Sequence, residues 1–359
     1  MNDVALLISG GVDSSVAAYK LVEAGLRPYL FYIAIGPDEK TEVFDCKMEE
    51  DVEMCRWIAR KYHLSLEIVS LHKEYWEGVM GYHVETLKAG KTPNPDILCN
   101  QLIKFGVFVE KYGKNFSLIA TGHYAHLEKC EGKKYLHTAV DREKDQTYFL
   151  STLSVELMQS LHFPLAYITK LEVRELAEKL QFPNAHRKGS SGICFIARNR
   201  YTELVRKMLG EQEGSFVEYE TGKIIGKHKG HWFYTIGQRK GLGLPGGPWF
   251  VVKKDADANT VYISRGYQPE SVLKNRIYVH HVQQIFPFEL KKEVPLEGYV
   301  KIRHTPSFVK AKVYFFDENM LLIETEEPQH GVAPGQFAVV YDMHKKFVLF
   351  SAEMTYPDL

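Results

Sequence analysis

The stretch Val4-Ala5-Leu6-Leu7-Ile8-Ser9-Gly10-Gly11-Val12-Asp13-Ser14-Ser15 passes from a continuous apolar run, through two glycines, into an amphipathic segment. A short run that is apolar on both faces predicts a strand buried inside a parallel sheet. The glycines allow a tight turn and a close approach of backbone to a ligand. Ser14 to Ala24 then reads as a helix, with Val16, Ala17, Leu21 and Ala24 on one face and Gly25 as the stop. A helix start behind a glycine turn offers unpaired N–H groups and the positive end of a dipole, the ingredients of a phosphate cradle. The string lacks the Gly-Lys-Ser/Thr of a Walker loop and is not Gly-x-Gly-x-x-Gly. A simpler reading also fits these residues, a helix capped by the side chain of Asp13 or Ser14.

Outward from this stretch, the same alternation continues. Tyr29 to Ile35, Ser65 to Ser70 and Phe116 to Thr121 read as strands, and Met48 to Tyr62 and Leu102 to Tyr112 as helices. That order predicts a doubly wound parallel α/β sheet, whose ligands bind beyond the carboxyl ends of the strands. Ser9 to Ser15 and Thr121-Gly122-His123 both fall there. Ser151 to Leu180 reads as helical. From about Gly214 short strands take over: Val251 to Lys254, Thr260 to Ser264, Val300 to His304, Val309 to Phe316, Met320 to Thr325 and Phe337 to Tyr341. The expected division is an α/β unit over 1–205, a small central β unit over 206–272 and a barrel-like β unit over 273–359.

The 359 residues carry 45 Lys plus Arg against 45 Asp plus Glu, with 45% hydrophobic residues. This balance excludes general disorder and a uniformly basic nucleic-acid binder. It leaves room for segregated charge. Asp38 to Glu53 holds eight acids and two lysines, whereas Lys223 to Lys240 holds five Lys plus Arg, no acid, and Trp232, Phe233 and Tyr234. The basic stretch suits either an amphipathic strand pair or RNA phosphates and bases. No apolar run approaches the roughly 18 residues of a membrane span, and no signal peptide is expected. Cys46, Cys55, Cys99, Cys130 and Cys194 include no Cys-x-x-Cys pair, so the expected setting is a reducing cytoplasm, and no metal site is read.

Two cysteines stand in distinctive surroundings. Cys99 ends Thr92-Pro93-Asn94-Pro95-Asp96-Ile97-Leu98-Cys99 and precedes a helix read to start near Leu102, where a helix N-terminus would favour a thiolate. Cys194 lies among Arg187, Lys188, Arg198, Arg200, Arg206 and Lys207, with Glu203 the only acid. Either could equally be a small buried apolar residue.

Seven motifs in order then carry a resemblance over nearly the whole chain. They are the glycine loop, 92–100, Thr121 to Ala125, Lys144 to Leu150, Gly192 to Ile196, Tyr234 to Gly243 and Pro334 to Tyr341. The loop is similar to that of the ATP-pyrophosphatase superfamily, and the full set resembles tRNA-specific 2-thiouridylases of the MnmA type. The resemblance implies that ATP, accompanied by Mg²⁺, adenylates the 2-oxygen of the wobble uridine of tRNA. Cys194 would carry a persulfide received from a sulfur-relay protein, and Cys99 would be the nucleophile that releases the sulfur by forming a disulfide with Cys194. Leu7, Ile8, Ser9, Gly10, Gly11, Val12, Asp13, Ser14, Ile33 and Gly122 would bind ATP. Asn94, Pro95, Asp96, His123, Lys144, Asp145, Gln146, Arg303, His304 and Gln336 would meet tRNA. Read without the resemblance, His123 is a hydrogen-bonding residue at a strand end, and Lys144 to Gln146 a solvated turn.

The chain departs from the family pattern at Gly189, where an Asp is usual, at Ala197, and over Leu349 to Glu353, which replace a glycine-rich closing strand. Two other readings remain at this stage: an adenylating synthetase with a small-molecule substrate, and a non-catalytic tRNA-binding paralogue.

Overall fold

A computed structural model describes residues 3–36, 48–187, 201–265 and 274–356. The N-terminal sheet contains β1 (Val4–Leu7), β2 (Tyr29–Ala34), β3 (Leu66–Ser70), β4 (Leu118–Thr121) and, after a hairpin of β5 (His126–Cys130) and β6 (Lys133–His137), β7 (Leu161–His162). Its order is β3-β2-β1-β4-β7 and all pairings are parallel. Alternation along β1 splits its side chains between two cores. Val4, Leu6 and Ile8 pack with α1 (Val12–Glu23) and α2 (Met48–Tyr62), while Ala5 and Leu7 pack with Phe31, Ile103, Phe108 and Ile119. Both faces are therefore covered, as the expected α/β unit requires.

Strand order reverses at β1, with β2 and β3 added on one side and β4 and β7 on the other, so the switch point of the sheet opens beyond Leu7 and Thr121. Two β units follow. β8 (Gly214–Glu218), β9 (Ile224–His228), β10 (Phe250–Asp255) and β11 (Thr260–Ser264) form a four-stranded sheet. β12 (Lys274–Gln284), β13 (Leu296–Lys301), β14 (Val309–Phe315), β15 (Met320–Gln329), β16 (Phe337–Tyr341) and β17 (Val348–Thr355) close into a barrel. No helix among the described residues is long and apolar enough to cross a membrane.

Three sequence expectations are corrected. Ser151 to Leu180 is not continuously helical. Its helices are Val155–Met158 and Lys170–Lys179, and Leu161–His162 adds the edge strand β7. A two-residue strand is too short for its period to show. The helix expected from Leu102 begins at Pro95, capped by the Asn94 side chain, and continues through a π-helical stretch, Cys99–Val107, to Lys111. Proline at the first helical position forfeits only an N–H that would be unpaired anyway, so Pro95 marks the start of this helix. The strand expected at Val300 to His304 is β13, and it ends at Lys301.

Candidate active site

Gly11 is the N-cap of α1 and makes no side-chain cap bond, so neither Asp13 nor Ser14 is spent on capping. Ser14 instead shapes the turn: its Oγ accepts the Ser9 N–H at 3.1 Å and donates to Gly11 O at 3.0 Å. The buried Asn184 amide donates to Gly10 O and Ser15 Oγ at 2.9 and 3.0 Å. Gly10 has φ +72°, and a Cβ there would lie 2.6 Å from Asp51 O. A Cβ on Gly122 would lie 2.9 Å from the Ser14 N. The end of β4 therefore rests directly on the first turn of α1, and a side chain at either glycine would push the loop open. Asp13 receives the Tyr124 hydroxyl at 2.6 Å and an ion pair from Lys170. Ile33 lies near the carboxyl end of β2, where Ile8 N–H donates to Phe31 O at 2.9 Å.

A second group gathers around the helix that begins at Pro95. Cys99 is 6% exposed and lies in the second turn, where helix-dipole effects have largely faded. The preceding loop is clamped by the barrel. Gln336 Nε2 donates to Thr92 O and Pro93 O at 3.1 and 2.8 Å, Asn94 Nδ2 donates to Gln336 Oε1 at 3.2 Å, and Thr92 N–H donates to Pro334 O at 2.8 Å. Asn100 Nδ2 donates to Phe149 O at 3.0 Å, and Lys104 donates to Asn100 Oδ1 at 2.9 Å. Burial raises the Asp96 carboxyl above its ordinary range, opposed by the charges of Lys104 and His304. Burial, reinforced by Lys104, pushes His123 well below the usual imidazole value, and its Nδ1 meets Thr121 Oγ1 at 2.7 Å. Lys104 thus acts on both Asp96 and His123. His304 keeps an exposed edge, yet partial desolvation by its neighbours depresses its imidazole; its ring lies 4.6 Å from that of Phe149 and its Nε2 meets Asp145 O at 2.9 Å.

Gly122 and His123 join the two groups. One rests on the phosphate loop, and the ring of the other lies 6.1 Å from Phe105 on the Cys99-bearing helix. The remaining residues named from the sequence take varied positions. Asp145 is 2% exposed, and its carboxylate accepts the Ala139 N–H at 2.7 Å and the Thr147 N–H at 3.3 Å, so its outward influence runs through its carbonyl to His304. Gln146 is paired with the Tyr124 backbone at both ends, while Lys144 is exposed in the preceding turn. Arg303 is exposed and donates to His330 O. Cys194, Gly189 and Ala197 lie outside the described residues, as does Cys46. The chain leaves the described part at Arg187, which pairs with Asp51 beside the phosphate loop. It re-enters at Tyr201, whose hydroxyl meets His83 Nε2 at 2.9 Å.

Sequence reasoning missed Lys104, Lys170 and Asn184. Lys104 stands four residues after Asn100, the spacing of neighbours on one helix face, and was findable. Lys170 and Asn184 reach the loop from more than 150 positions away, and no local signal marks them.

Residues 2–198 match the tRNA methyl transferase HUP domain, 202–265 the tRNA methyl transferase PRC-barrel domain, and 274–349 the aminomethyltransferase β-barrel domain. Similar curated proteins are tRNA-specific 2-thiouridylase MnmA 1 of Bacteroides thetaiotaomicron, 49% identical over 98% of this chain and 99% of that one. The tRNA-specific 2-thiouridylase MnmA of Parabacteroides distasonis is 48% identical over 95% of each chain. That of Porphyromonas gingivalis W83 is also 48% identical, again over 95% of each.

Proposed function

Because this chain belongs to the tRNA-specific 2-thiouridylase family, we propose that it carries out ATP-dependent 2-thiolation of the wobble uridine of tRNA, with the sheet switch point as its reaction centre. One observation carries this reading. The consecutive residues Gly122 and His123 contact the phosphate loop and the helix of the buried thiol, which suits a substrate that must meet ATP and sulfur in turn. A methyl transfer would need neither the loop nor the thiol.

The uridine 2-oxygen attacks the α-phosphorus of ATP, the bond to the β,γ-pyrophosphate breaks, and an O-adenylated base results. Leu7 to Ser14, with Ile33 and Gly122, hold the nucleotide, and the first N–H groups of α1 receive the pyrophosphate. The loop supplies hydroxyls and the one-third-exposed carboxylate of Asp13, a donor set that fits Mg²⁺ held mainly by ATP's own phosphates. The ion's contribution is to neutralise charge on the leaving pyrophosphate.

The terminal sulfur of a Cys194 persulfide then attacks C2, AMP leaves, and the proton passes to solvent. The Cys99 thiolate attacks the Cys194 sulfur, the S–S bond to the base breaks, and the electron pair stays on the sulfur now bound to C2. The product is 2-thiouridine and a Cys99–Cys194 disulfide, which an external dithiol reduces before the next turnover. Asn94, Pro95, Asp96 and His123 line the base site, with Gln336 holding the loop beneath it. Lys144, Gln146, Arg303 and His304 meet the tRNA more widely, and Asp145 positions His304 through its carbonyl. The persulfide comes from a sulfur-relay protein, the setting is the cytoplasm, and the units divide near 205 and 272.

The test is thiolation of wobble-uridine tRNA, read by mass spectrometry of its nucleosides alongside AMP release. AMP release without 2-thiouridine from wild-type protein given a persulfide donor would leave only the adenylating half of the proposal.

A further inference from the structure

On the barrel wall, outside the cluster around Cys99, three side chains with metal-binding chemistry converge from neighbouring strands. His280 and His281 lie on β12, and Glu353 on β17 is the register partner of His280. Glu353 Oε2 stands 3.9 Å from His280 Nε2 and 3.7 Å from His281 Nδ1, and the three donor atoms lie within 4.8 Å of one another.

Regular strand geometry would not produce this grouping, because successive side chains point to opposite faces. Here the rings of His280 and His281 stack at 4.1 Å with 26° between their planes. Two backbone features turn them to one side. The β12–β17 ladder is irregular between His280 and Gln283, and His281 has φ +50°. Irregularities of this kind re-aim side chains, and a left-handed non-glycine residue costs about 1 kcal/mol or more. A second cost accompanies the first. His280 Nε2 is buried and hydrogen-bonded to nothing among the described residues, and 3.9 Å from Glu353 is too long for a bond. A cation between the three donors would offset both costs.

We propose that His280, His281 and Glu353 bind a zinc-class divalent ion, at a site separate from the thiolation chemistry. Two imidazoles and a carboxylate, with further positions left to water, form a donor set that zinc accepts. Zinc–ligand bonds of about 2.0–2.1 Å place tetrahedral donors about 3.3 Å apart, so the edges to Glu353 need to contract by only about half an ångström. A cavity of about 430 Å³, lined by His280, Asp317, Glu318 and Thr355 among others, leaves room for the water ligands. Of the charges acting on His280, Glu353 favours a cation there, against Lys91 and His281. Glu353 stands toward the end of β17. The next residue, Met354, bonds Gln336 O through its N–H at 2.7 Å and accepts the Gly335 N–H at 3.1 Å. The ion therefore ties β12 to the strand that bonds the backbone of Gln336, whose side chain grips the loop before Cys99.

Cobalt(II) is the probe, titrated into the full chain after chelator treatment and then displaced by Zn²⁺. One equivalent should bind, giving the visible bands of a nitrogen–oxygen site without a thiolate charge-transfer band. Glu353→Gln and His281→Gly should each weaken binding by roughly 10- to 100-fold or more, a range already typical of losing an outer-shell partner. Glycine suits φ +50°, so His281→Gly should fold at least as well as wild type without metal, and the rise in Tm produced by Zn²⁺ should disappear in both variants. Absence of stoichiometric binding by wild type, equal binding by both variants, or a spectrum showing only thiolate ligation would overturn the site.

Discussion

The Ser14 and Ser15 bonds that shape the phosphate turn join residues five or fewer apart, and the distant Lys170 and Asn184 that support it belong to the same α/β unit, whereas Asn94 and the Gln336 that clamps it are 242 positions apart and belong to different units. One half of the reaction centre is complete within the α/β unit. The other exists only when the barrel docks, because Tyr148 OH donates to Phe337 O at 3.1 Å, Thr147 Oγ1 meets Tyr341 OH at 3.0 Å, and Ser151 Oγ donates to Ser351 Oγ at 3.1 Å across the same junction. Local preorganisation suits a cradle for ATP, a ligand common to many enzymes. Long-range assembly suits the choice of a particular base, since the clamp can align the thiol only in the complete chain.

This contrast makes the two halves separable by mutation. The largest expected effect is at Cys99. With persulfide as the sole donor, Cys99→Ser should load sulfur at Cys194 and release AMP with tRNA, yet form no 2-thiouridine. Nucleoside mass spectrometry checks it, and normal thiolation would remove Cys99 from the mechanism. Next is the local half. Gly122→Ala should lower AMP formation by on the order of a hundredfold, because misplacing reacting groups by about 1 Å costs that much. Its Cβ would sit 2.9 Å from Ser14 N. Unchanged AMP formation would show that the loop tolerates displacement and is not preorganised.

The assembled half should respond differently. Gln336→Ala leaves the phosphate loop untouched but removes two donated bonds and one accepted bond from 92–94. Losing such partners costs about 1–3 kcal/mol in total, so thiolation should fall by roughly tenfold while AMP release falls less. An equal fall in both would merge the two halves into one unit. A smaller effect is expected at the exposed Arg239 and Lys240, part of the acid-free stretch in the central β unit. Reversing both charges should weaken tRNA binding and flatten its salt dependence by about 0.7–0.9 per lost phosphate contact, leaving ATP affinity alone. An unchanged salt slope would remove this stretch from the RNA-binding surface.

The same contrast explains what could be read from the sequence. Apolar periodicity marked β1 and α1, and α2 matched its expected bounds, Met48–Tyr62. Gly10 was legible because close backbone approach demands glycine, whereas Gly122 was marked only by its place at a strand end and by the resemblance. Asn94, Asp96 and Gln336 were legible only through a resemblance, since no spacing rule links residues 242 apart. β12, Lys274–Gln284, was not singled out, because most of its outward residues are polar and its alternation breaks at His281. Lys170 and Asn184 were invisible for the reason Gln336 was, and here no motif stood in for the missing contact.

The smallest expected effect is on stability, and it falls on the assembled half. His83 lies on the helix Gly81–Lys88, is 3% exposed, and binds the hydroxyl of Tyr201 where the chain returns from the thiol-bearing segment. Burial pushes its pKa down to about 4, so the folded state holds it neutral while the unfolded chain titrates near the ordinary 6.5. Above 6.5 neither state takes the proton and the site adds no pH dependence. As pH falls from 6.5 towards 4 the unfolded chain binds a proton that the folded chain refuses, so stability is lost through that window, by on the order of 1–3 kcal/mol. The urea midpoint should therefore drop between pH 6.5 and 4. His83→Gln, which keeps a hydrogen-bonding group facing Tyr201 but cannot titrate, should flatten that drop without changing AMP release at pH 7.5. An equally steep drop in the variant would assign the acid sensitivity to other buried imidazoles, with His231, also depressed to about 4 by burial, next to be tested.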